Sequence, residues 1–289
     1  MPARRKLGLC VLLLFALTVA VHWRTLLTRQ YQAFDSPDYA YQVAPWLEAE
    51  ARELHQGHWP LLWDPFLMGG HPLLGQGQPG VMFPLTWLLI AAPTHRGFLT
   101  GGDFNWYMAI IRFVAALSMF ALCRDLGRSR LASIFAACAF AFSGYIATIG
   151  WPQMLNGGIL APLVLMFSLR AIGGRKPLLS AAMSGGLLGL SWLSGHHQIP
   201  LFVTLAVAGV WIYHIAKPQP REARVARIQL FAAFGIVMIL AGAAQTFPEY
   251  SYGRTVVRWV SASHEVKWDQ AVPYSVHDMF ALRPVSVLG

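Results

Sequence analysis

The sequence predicts an all-α integral membrane protein, built as a polytopic helical bundle of about seven transmembrane helices plus one short re-entrant or interfacial helix. Three observations lead to this prediction. Hydrophobic residues make up 56% of the 289 residues and charged residues only 12%, whereas a soluble domain carries about 25% charged residues. Several apolar stretches are about 20 residues long, as a spanning helix requires. The basic residues cluster in short segments between these stretches.

Seven apolar stretches are long enough to cross a bilayer as helices. A hydrocarbon core of about 30 Å is crossed at about 1.5 Å per residue, so roughly 20 apolar residues are needed. The stretches comprise residues 7–27, 104–122, 131–149, 154–172, 178–194, 199–216 and 228–245. An eighth run, 81–92, is too short to span and is punctuated by Pro79, Pro84 and Pro93. We therefore expect this run to form the short re-entrant or interfacial helix.

The distribution of charge predicts the orientation of the spans. Lys and Arg favour the cytoplasmic side of a membrane when they lie in short loops. With a cytoplasmic N-terminus, 13 of the 22 basic residues fall in inside segments, and 11 of the 13 acidic residues fall outside. The net charge of +9 is therefore mainly a signal of topology. The basic residues form no single stripe with interleaved aromatics, so no nucleic-acid partner is predicted.

The predicted organisation has four parts. These are an N-terminal transmembrane anchor (1–27), an outer loop with the candidate active site (28–103), a six-helix transmembrane bundle (104–247) and an outer C-terminal segment that we expect to be truncated (248–289). A cleaved signal peptide is the alternative for the first stretch. No good small-residue cleavage site precedes Trp23 and Arg24, which favours a retained anchor.

Common nucleotide and metal motifs are missing from the sequence. It contains neither GxxxxGK[ST] nor GxGxxG, so nucleotide binding through a P-loop or a Rossmann motif has no support. The three cysteines, Cys10, Cys123 and Cys138, lie in or beside apolar stretches. We expect them to be buried apolar side chains, and we predict neither a disulfide nor a CxxC metal site.

Two carboxylates follow the first predicted span. Asp35 and Asp38 are three residues apart, and such a pair can supply a general base or ligands for a hard divalent cation. The alternative is that one or both cap the next helix, because Asp is a good N-cap and Pro37 precedes Asp38. Residues 46–55 then fit a short amphipathic helix lying along the membrane interface.

Short motifs then occur in a fixed order along the chain. They are Asp38-x-x-x-Gln42-x-x-Pro45-Trp46, Gly57-x-Trp59-Pro60-Leu61-Leu62-Trp63-x-Pro65-Phe66-x-x-Gly69-Gly70-x-Pro72-Leu73-Leu74, Phe83-Pro84-Leu85-x-Trp87-Leu88-Leu89, Ala141-Phe142-Ser143-Gly144-Tyr145, Gly150-x-Pro152-x-x-Leu155-Asn156, Ala161-Pro162-Leu163, Ser194-Gly195-His196-x-Gln198 and Gly242-Ala243-Ala244-Gln245-x-x-Pro248. In this order the chain resembles, over nearly its whole length, bacterial YfhO-like multispanning proteins of the GT-C class of membrane glycosyltransferases.

The resemblance implies transfer of a sugar from a polyprenyl-phosphate donor to a cell-envelope glycan or lipid acceptor, at the outer face of the bacterial inner (cytoplasmic) membrane. In GT-C enzymes a carboxylate of the first outer loop serves as base, and Asp38 fits the Asp-x-x-x-Gln-x-x-Pro frame. Asp35 falls outside that frame and is a candidate second carboxylate. YfhO-like proteins generally continue with further spans, so we expect this chain to be an N-terminal portion. A divalent cation is a candidate cofactor.

Contacts with the donor phosphate or sugar are predicted for Gln42, Arg112, His196 and His197. Arg112 lies within a predicted span, where an ionisable side chain is a functional hypothesis by default. The alternative is that it snorkels to the interface or pairs with a carboxylate such as Asp103.

Other polar and aromatic residues on the predicted outer turns have two interpretations each. For the histidine pair, the alternative to contact with the donor is helix capping or contact with the membrane interface. For Gln153 and Asn156, helix capping is the favoured interpretation. Tryptophans at the outer face suit either sugar stacking or an aromatic belt; they are Trp59, Trp63 and Trp151.

Two rival functions remain at this stage. A transporter or flippase for a lipid-linked envelope component predicts ionisable residues inside several spans, and only Arg112 clearly meets that condition. A non-catalytic membrane assembly protein predicts that Asp38 is dispensable.

Overall fold

Helices dominate the structure, which is a computed structural model. It describes residues 3–28, 30–31, 37–58, 60–67, 69–261, 264–267 and 269–278. The molecule is 72% helical, and the sheets among the described residues are two antiparallel pairs of short strands. The prediction of an all-α fold is therefore confirmed.

The N-terminal part of the chain folds into one long helix and a series of short elements. In order they are α1 (Ala3–Val21), α2 (Trp23–Leu27), a π-helical turn (Tyr39–Val43), α3 (Ala44–His55), β1 (Trp63–Asp64), β2 (His71–Pro72), α4 (Leu73–Gln76) and α5 (Pro84–Ile90). Asp64 on β1 lies opposite His71 on β2. The predicted amphipathic helix is confirmed as α3, which buries Trp46, Leu47 and Ala51.

Longer helices and a small hairpin follow. They are α6 (Gly101–Asp125), α7 (Arg130–Phe142), α8 (Gly144–Thr148), α9 (Pro152–Gly158), α10 (Ala161–Ile172), α11 (Pro177–Trp192), α12 (Gln198–Ala216), α13 (Arg221–Gly253), β3 (Val257–Ser261), β4 (His264–Lys267) and α14 (Tyr274–Asp278). α6 begins with a capping box: Asp103 N donates to Thr100 Oγ1 at 3.3 Å, and Thr100 N donates to Asp103 Oδ2 at 2.7 Å. The cap fixes the start of α6 directly after the outer loop.

Among the described residues, four helical segments are long and apolar enough to cross a membrane: Gly101–Asp125, Pro152–Ile172 (α9 and α10 together), Gln198–Ala216 and Arg221–Gly253. The other predicted spans coincide with helices that are interrupted or short. A turn at His22 separates α1 from α2, and Ser143, with extended backbone, separates α7 from α8, which begins at Gly144 with a φ of 54°. α11 has only 16 residues.

The short apolar run at 81–92 contains a helix that cannot span a bilayer. α5 has 7 residues, which corresponds to about 10 Å of helix. Pro84 occupies its first turn, where a missing N–H costs nothing because that N–H would have no helical partner. The predicted short helix is therefore present, and its position relative to a membrane stays a prediction.

Glycines let α11 and α13 approach each other closely. A Cβ on Gly185 would overlap the Phe234 carbonyl oxygen, and a Cβ on Gly189 would lie 2.5 Å from Ala241 Cβ. The two glycines are four residues apart and so lie on one face of α11. Small residues at this spacing are typical of packed membrane helices. Gly195 lies in the turn before α12, with a φ of 89° that favours glycine.

One buried cluster joins the outer loop to the bundle. Tyr39 and Trp46 of the loop belong to the same core as Phe104, Ile111 and Leu155 of the helices. A second core lies within α10 to α13. The loop therefore rests on the bundle, and residues in the loop are positioned by contacts with the helix ends.

Candidate functional site

A cleft opens beside the π-helical turn, in the loop predicted to lie outside the membrane. Its volume is about 460 Å³. Its wall includes polar side chains and two aromatic rings, which are Asp38, Gln42, Asp64, His71, Gln76, Tyr41 and Trp46. Carboxylates, amides and imidazole together supply both hydrogen-bond donors and acceptors. Such a lining suits a ligand that carries several hydroxyl groups.

Asp38 lies immediately before the π-helical turn and is exposed in the cleft. Its side chain makes no capping hydrogen bond, so the capping alternative is wrong for this residue. Ala44 N donates to Tyr39 O, five residues earlier, and Pro45 has no N–H with which to continue the pattern. Single π-helical turns are frequent at functional sites. Asp35 lies outside the described residues.

Amide side chains tie the cleft wall to distant parts of the chain. Gln42 Nε2 donates to Gln78 Oε1 at 3.1 Å, which joins the π-helical turn to the segment after α4. Gln245 Nε2 on α13 donates to Leu74 O on α4 at 2.8 Å. Gln42, one of the predicted donor contacts, therefore lies on the cleft wall. Its Nε2 is engaged in the hydrogen bond to Gln78.

Asp64 is a site residue that sequence reasoning missed. It is only 6% exposed, and its Oδ1 accepts a hydrogen bond from Phe66 N at 2.9 Å. It borders the cleft of Asp38 and also a neighbouring cavity. The signal was an acidic residue at the variable position of the Trp63-x-Pro65 motif.

The neighbouring cavity has a volume of about 390 Å³ and is lined by Glu48 and Arg52 of α3. Burial raises the pKa of Glu48 above its usual value, against the opposing effect of a hydrogen bond from the Leu99 N–H. That bond joins Leu99 N to Glu48 Oε2 at 3.1 Å. The Arg52 guanidinium lies 5.5 Å from the centre of the Phe98 ring. Asp64 therefore borders both cavities, which also share Pro45 and Leu67 in their walls.

His196 and His197 lie in the turn before α12, next to residues 77–80, which follow α4. His197 Nε2 is 2.7 Å from Glu249 Oε2, and the Glu249 carboxylate lies against Gly77. Burial lowers the pKa of His196, and the neighbouring His197 lowers it further. His197 occupies the N-cap position of α12 without a side-chain capping bond. The structure thus places both histidines beside the segment that follows the cleft wall.

Arg112 is buried among backbone carbonyl groups. Its Nε donates to Ile146 O at 3.1 Å, and its two terminal nitrogens donate to the carbonyl oxygens of Met108, Ala147 and Ile149. Three of these acceptors are at the C-terminal end of α8, where unpaired carbonyls attract a cation. This geometry favours a structural role. Contact with a donor phosphate stays a prediction.

Asp103, the carboxylate named above as an alternative partner of Arg112, forms part of the capping box of α6. Its Oδ2 accepts hydrogen bonds from Thr100 N at 2.7 Å and from Thr100 Oγ1 at 2.6 Å.

Buried polar side chains connect α5 of the loop to helices α6 and α9 of the bundle. Gln153 and Asn156 lie on α9 and are buried, so the prediction that they cap helix ends is wrong. Asn156 Nδ2 donates to Tyr107 Oη at 2.8 Å, and that hydroxyl lies 3.3 Å from Thr86 Oγ1 on α5. These contacts link α5, α6 and α9 through one hydroxyl group.

The outer tryptophans differ in exposure. Trp63 is exposed and its indole lies against Gly70, where a Cβ would overlap the ring. Trp151 is half-buried, and Trp59 lies outside the described residues. Stacking of these rings on a sugar stays a prediction.

The chain matches no known protein-family model, no curated protein and no solved structure. The resemblance to YfhO-like proteins therefore stays a prediction. In the part of the chain that the structure describes, no group of three or more His, Cys, Asp or Glu side chains could hold a metal ion. A divalent cation in the mechanism likewise stays a prediction.

Proposed function

We propose that the chain is a membrane glycosyltransferase of the GT-C type, or the N-terminal part of one. It transfers a sugar from a polyprenyl-phosphate donor to a cell-envelope glycan or lipid acceptor. The observation that carries the proposal is the Asp38 carboxylate, exposed in a cleft walled by Gln42, His71 and Gln76. A general base must be within reach of the hydroxyl that it deprotonates, and an exposed carboxylate on the cleft wall is accessible to a molecule bound there.

The proposal includes seven spans and a cytoplasmic N-terminus, in the inner membrane of a bacterium. Four segments of the described chain that are long and apolar enough to cross a membrane support it. The loop contacts the turn before α12 and the last turns of α13, so one end of the bundle carries the cleft. The basic clusters follow the opposite ends of the same helices in the sequence, which supports an outer position for the cleft.

The reaction is a single displacement at the anomeric carbon. Asp38 accepts the proton of an acceptor hydroxyl while the hydroxyl oxygen bonds to that carbon. The bond between this carbon and the phosphate oxygen breaks, and polyprenyl phosphate leaves with the electron pair. Configuration at the anomeric carbon is inverted. Gln42, Gln76 and His71 line the same cleft and provide hydrogen-bonding groups for the sugar hydroxyls.

The second carboxylate of this reaction is Asp64 in our proposal, alongside the predicted Asp35. Asp64 borders both cavities, so one cavity accommodates the donor sugar and the other the acceptor. His197 contacts the Glu249 carboxylate, and that carboxylate lies against Gly77, the residue after Gln76 of the cleft wall. His196 precedes His197 in the same turn. They are better placed than Arg112 to approach a donor phosphate, because Arg112 is held by backbone carbonyls.

The decisive experiment compares Asp38→Asn with the matched variant Glu53→Gln, in which a carboxylate of the same loop outside the cleft is neutralised. Each full-length variant is supplied in membranes with labelled polyprenyl-phosphate sugar, and label in the acceptor fraction is measured. We expect Asp38→Asn to lower transfer by about 10²- to 10⁴-fold, the usual contribution of a general base. Glu53→Gln is expected to retain activity.

Other outcomes would point to the rival functions. Equal transfer by Asp38→Asn and the parent protein would rule out the base assignment. Movement of labelled lipid between leaflets without transfer would identify a flippase. Neither activity, together with normal envelope assembly in cells that carry Asp38→Asn, would identify an assembly protein.

A further inference from the structure

A second polar cavity lies at the opposite end of the bundle from the cleft, between α10 and α11. Its volume is about 560 Å³. Three basic side chains line it, Arg170 on α10 and Arg175 and Lys176 at the start of α11, followed by apolar side chains deeper along the helices. This end carries the inside basic clusters, so the cavity faces the side predicted to be cytoplasmic.

The basic groups are only partly neutralised. One Asp125 oxygen lies 2.7 Å from Arg170 and 3.0 Å from Arg175. With Lys176 included, the four ionised side chains carry a net charge of about +2, since the three cations face one carboxylate. Arg170 is further fixed by Phe167, whose ring centre lies 5.1 Å from the guanidinium carbon. The site therefore offers pre-oriented positive charge to an anion.

The lining changes from cationic to apolar along one face of α11. Leu179 and Met183 follow Lys176 by three and seven positions, which places them on the same side of the helix. They are 57% and 41% exposed, and the stripe extends about 10 Å along the helix axis. Phe167 lies one turn deeper than Arg170 on α10. A ligand that fills this cavity needs an anionic head and an apolar tail.

We propose that this cavity binds an anionic phospholipid of the cytoplasmic leaflet, with the phosphodiester group near Arg175 and Lys176 and an acyl chain along Leu179 and Met183. Basic pockets between membrane helices on the cytoplasmic side are a recognised type of site for anionic head groups. The proposal depends on the predicted orientation and is independent of the sugar-transfer reaction.

The test measures lipid binding to the purified full-length chain by native mass spectrometry. The probes are phosphatidylglycerol, phosphatidylcholine with the same acyl chains, and the soluble head group glycerophosphoglycerol. The variant is Arg175→Gln with Lys176→Asn. Asn suits position 176 because the φ of Lys176 is 47°, in the left-handed region. The control is Arg221→Gln with Arg224→Gln, which removes the same charge from the same end of the bundle, outside the cavity.

We expect phosphatidylglycerol to bind more tightly than phosphatidylcholine, and the cavity variant to weaken its binding roughly 30-fold, since each basic residue next to the anionic head group contributes about a factor of five. The control variant should bind like the parent. Equal binding of the two lipids would overturn the proposal, as would an equal loss in both variants. Head group binding as tightly as whole lipid would indicate an anion site and would equally overturn it. Gel filtration of each variant confirms that it folds.

Discussion

The interactions that stabilise the outer loop differ from those that stabilise the helical bundle. In the loop, hydrogen bonds join positions far apart in the sequence, such as Leu99 N to Glu48 Oε2. The loop is joined to the bundle by the buried cluster that contains Tyr39 and Trp46 and by the bond from Gln245 Nε2 to Leu74 O. In the bundle, whole helices pack against each other, as α11 and α13 do at Gly189. A change in the bundle therefore disturbs two long helices at once, whereas a change in the loop moves one local wall of the cleft.

The difference explains where the candidate chemistry lies. Loops positioned by a rigid scaffold commonly carry binding and catalytic groups, because a few directional contacts can place a side chain while leaving it accessible. Asp38 and His71 line the cleft in this loop. The comparison predicts that bundle substitutions lower stability first and loop substitutions alter activity first.

Arg112 gives the largest expected effect on stability, because it is a bundle residue with a predicted role in the site. In Arg112→Met, the carbonyls of Ile146, Ala147 and Ile149 at the end of α8 lose their donor. A buried polar group left without a partner costs about 1–3 kcal/mol, so we expect a loss of about 3 kcal/mol. Unfolding of the purified chain in detergent measures this value.

The control for Arg112 is Arg130→Met, at an exposed position at the start of α7, which should leave the unfolding midpoint nearly unchanged. If Arg112→Met keeps full stability but loses sugar transfer, then Arg112 contacts the donor and belongs with the loop residues in function.

Gly189→Ala is expected to have the next largest effect. Its new Cβ would lie 2.5 Å from Ala241 Cβ and 2.6 Å from Met238 O, so α11 and α13 must move apart. Overpacking of this kind costs about 1–3 kcal/mol. Gly186→Ala, on the same helix, has Val237 Cγ1 as its nearest neighbour at 3.8 Å and should gain up to about 1 kcal/mol from helix propensity. Equal effects of the two substitutions on the unfolding midpoint would show that the close α11–α13 contact does not contribute to stability.

The helices were predictable from the sequence because each needs only a local run of apolar residues. α6, α12 and α13 all lie where such runs occur. The interruption at Ser143 was not predicted, since residues 131–149 contain neither a charged residue nor a proline. The role of Arg112 depends on where α8 ends, because the carbonyls that it contacts become available only there.

The cleft was only partly predictable from the sequence. Asp38 and Gln42 belong to one short motif, and the structure places both on the cleft wall. Asp64 and Gln76 reach the same wall through the β1–β2 pair and α4, elements of two and four residues. Segments this short show no periodic pattern, so their long-range contacts leave no trace in the local sequence.

His196 gives the smallest expected effect and tests the boundary between the two regions. Its turn touches the loop, since Gly195 lies against Gln78 O. Burial lowers the pKa of His196 below its usual value of 6.5, and His197 lowers it further. The unfolded chain therefore binds this proton more readily than the folded protein does. As the pH is lowered below about 6.5, the free energy of unfolding decreases.

We expect the unfolding midpoint in detergent to decrease between about pH 7.5 and about pH 5, the range in which histidine changes charge. His196→Gln should flatten this slope because its side chain cannot be protonated. His95→Gln, at an exposed loop position, should leave the slope as it is. An unchanged slope in His196→Gln would mean that protonation of this turn does not loosen the contact between loop and bundle.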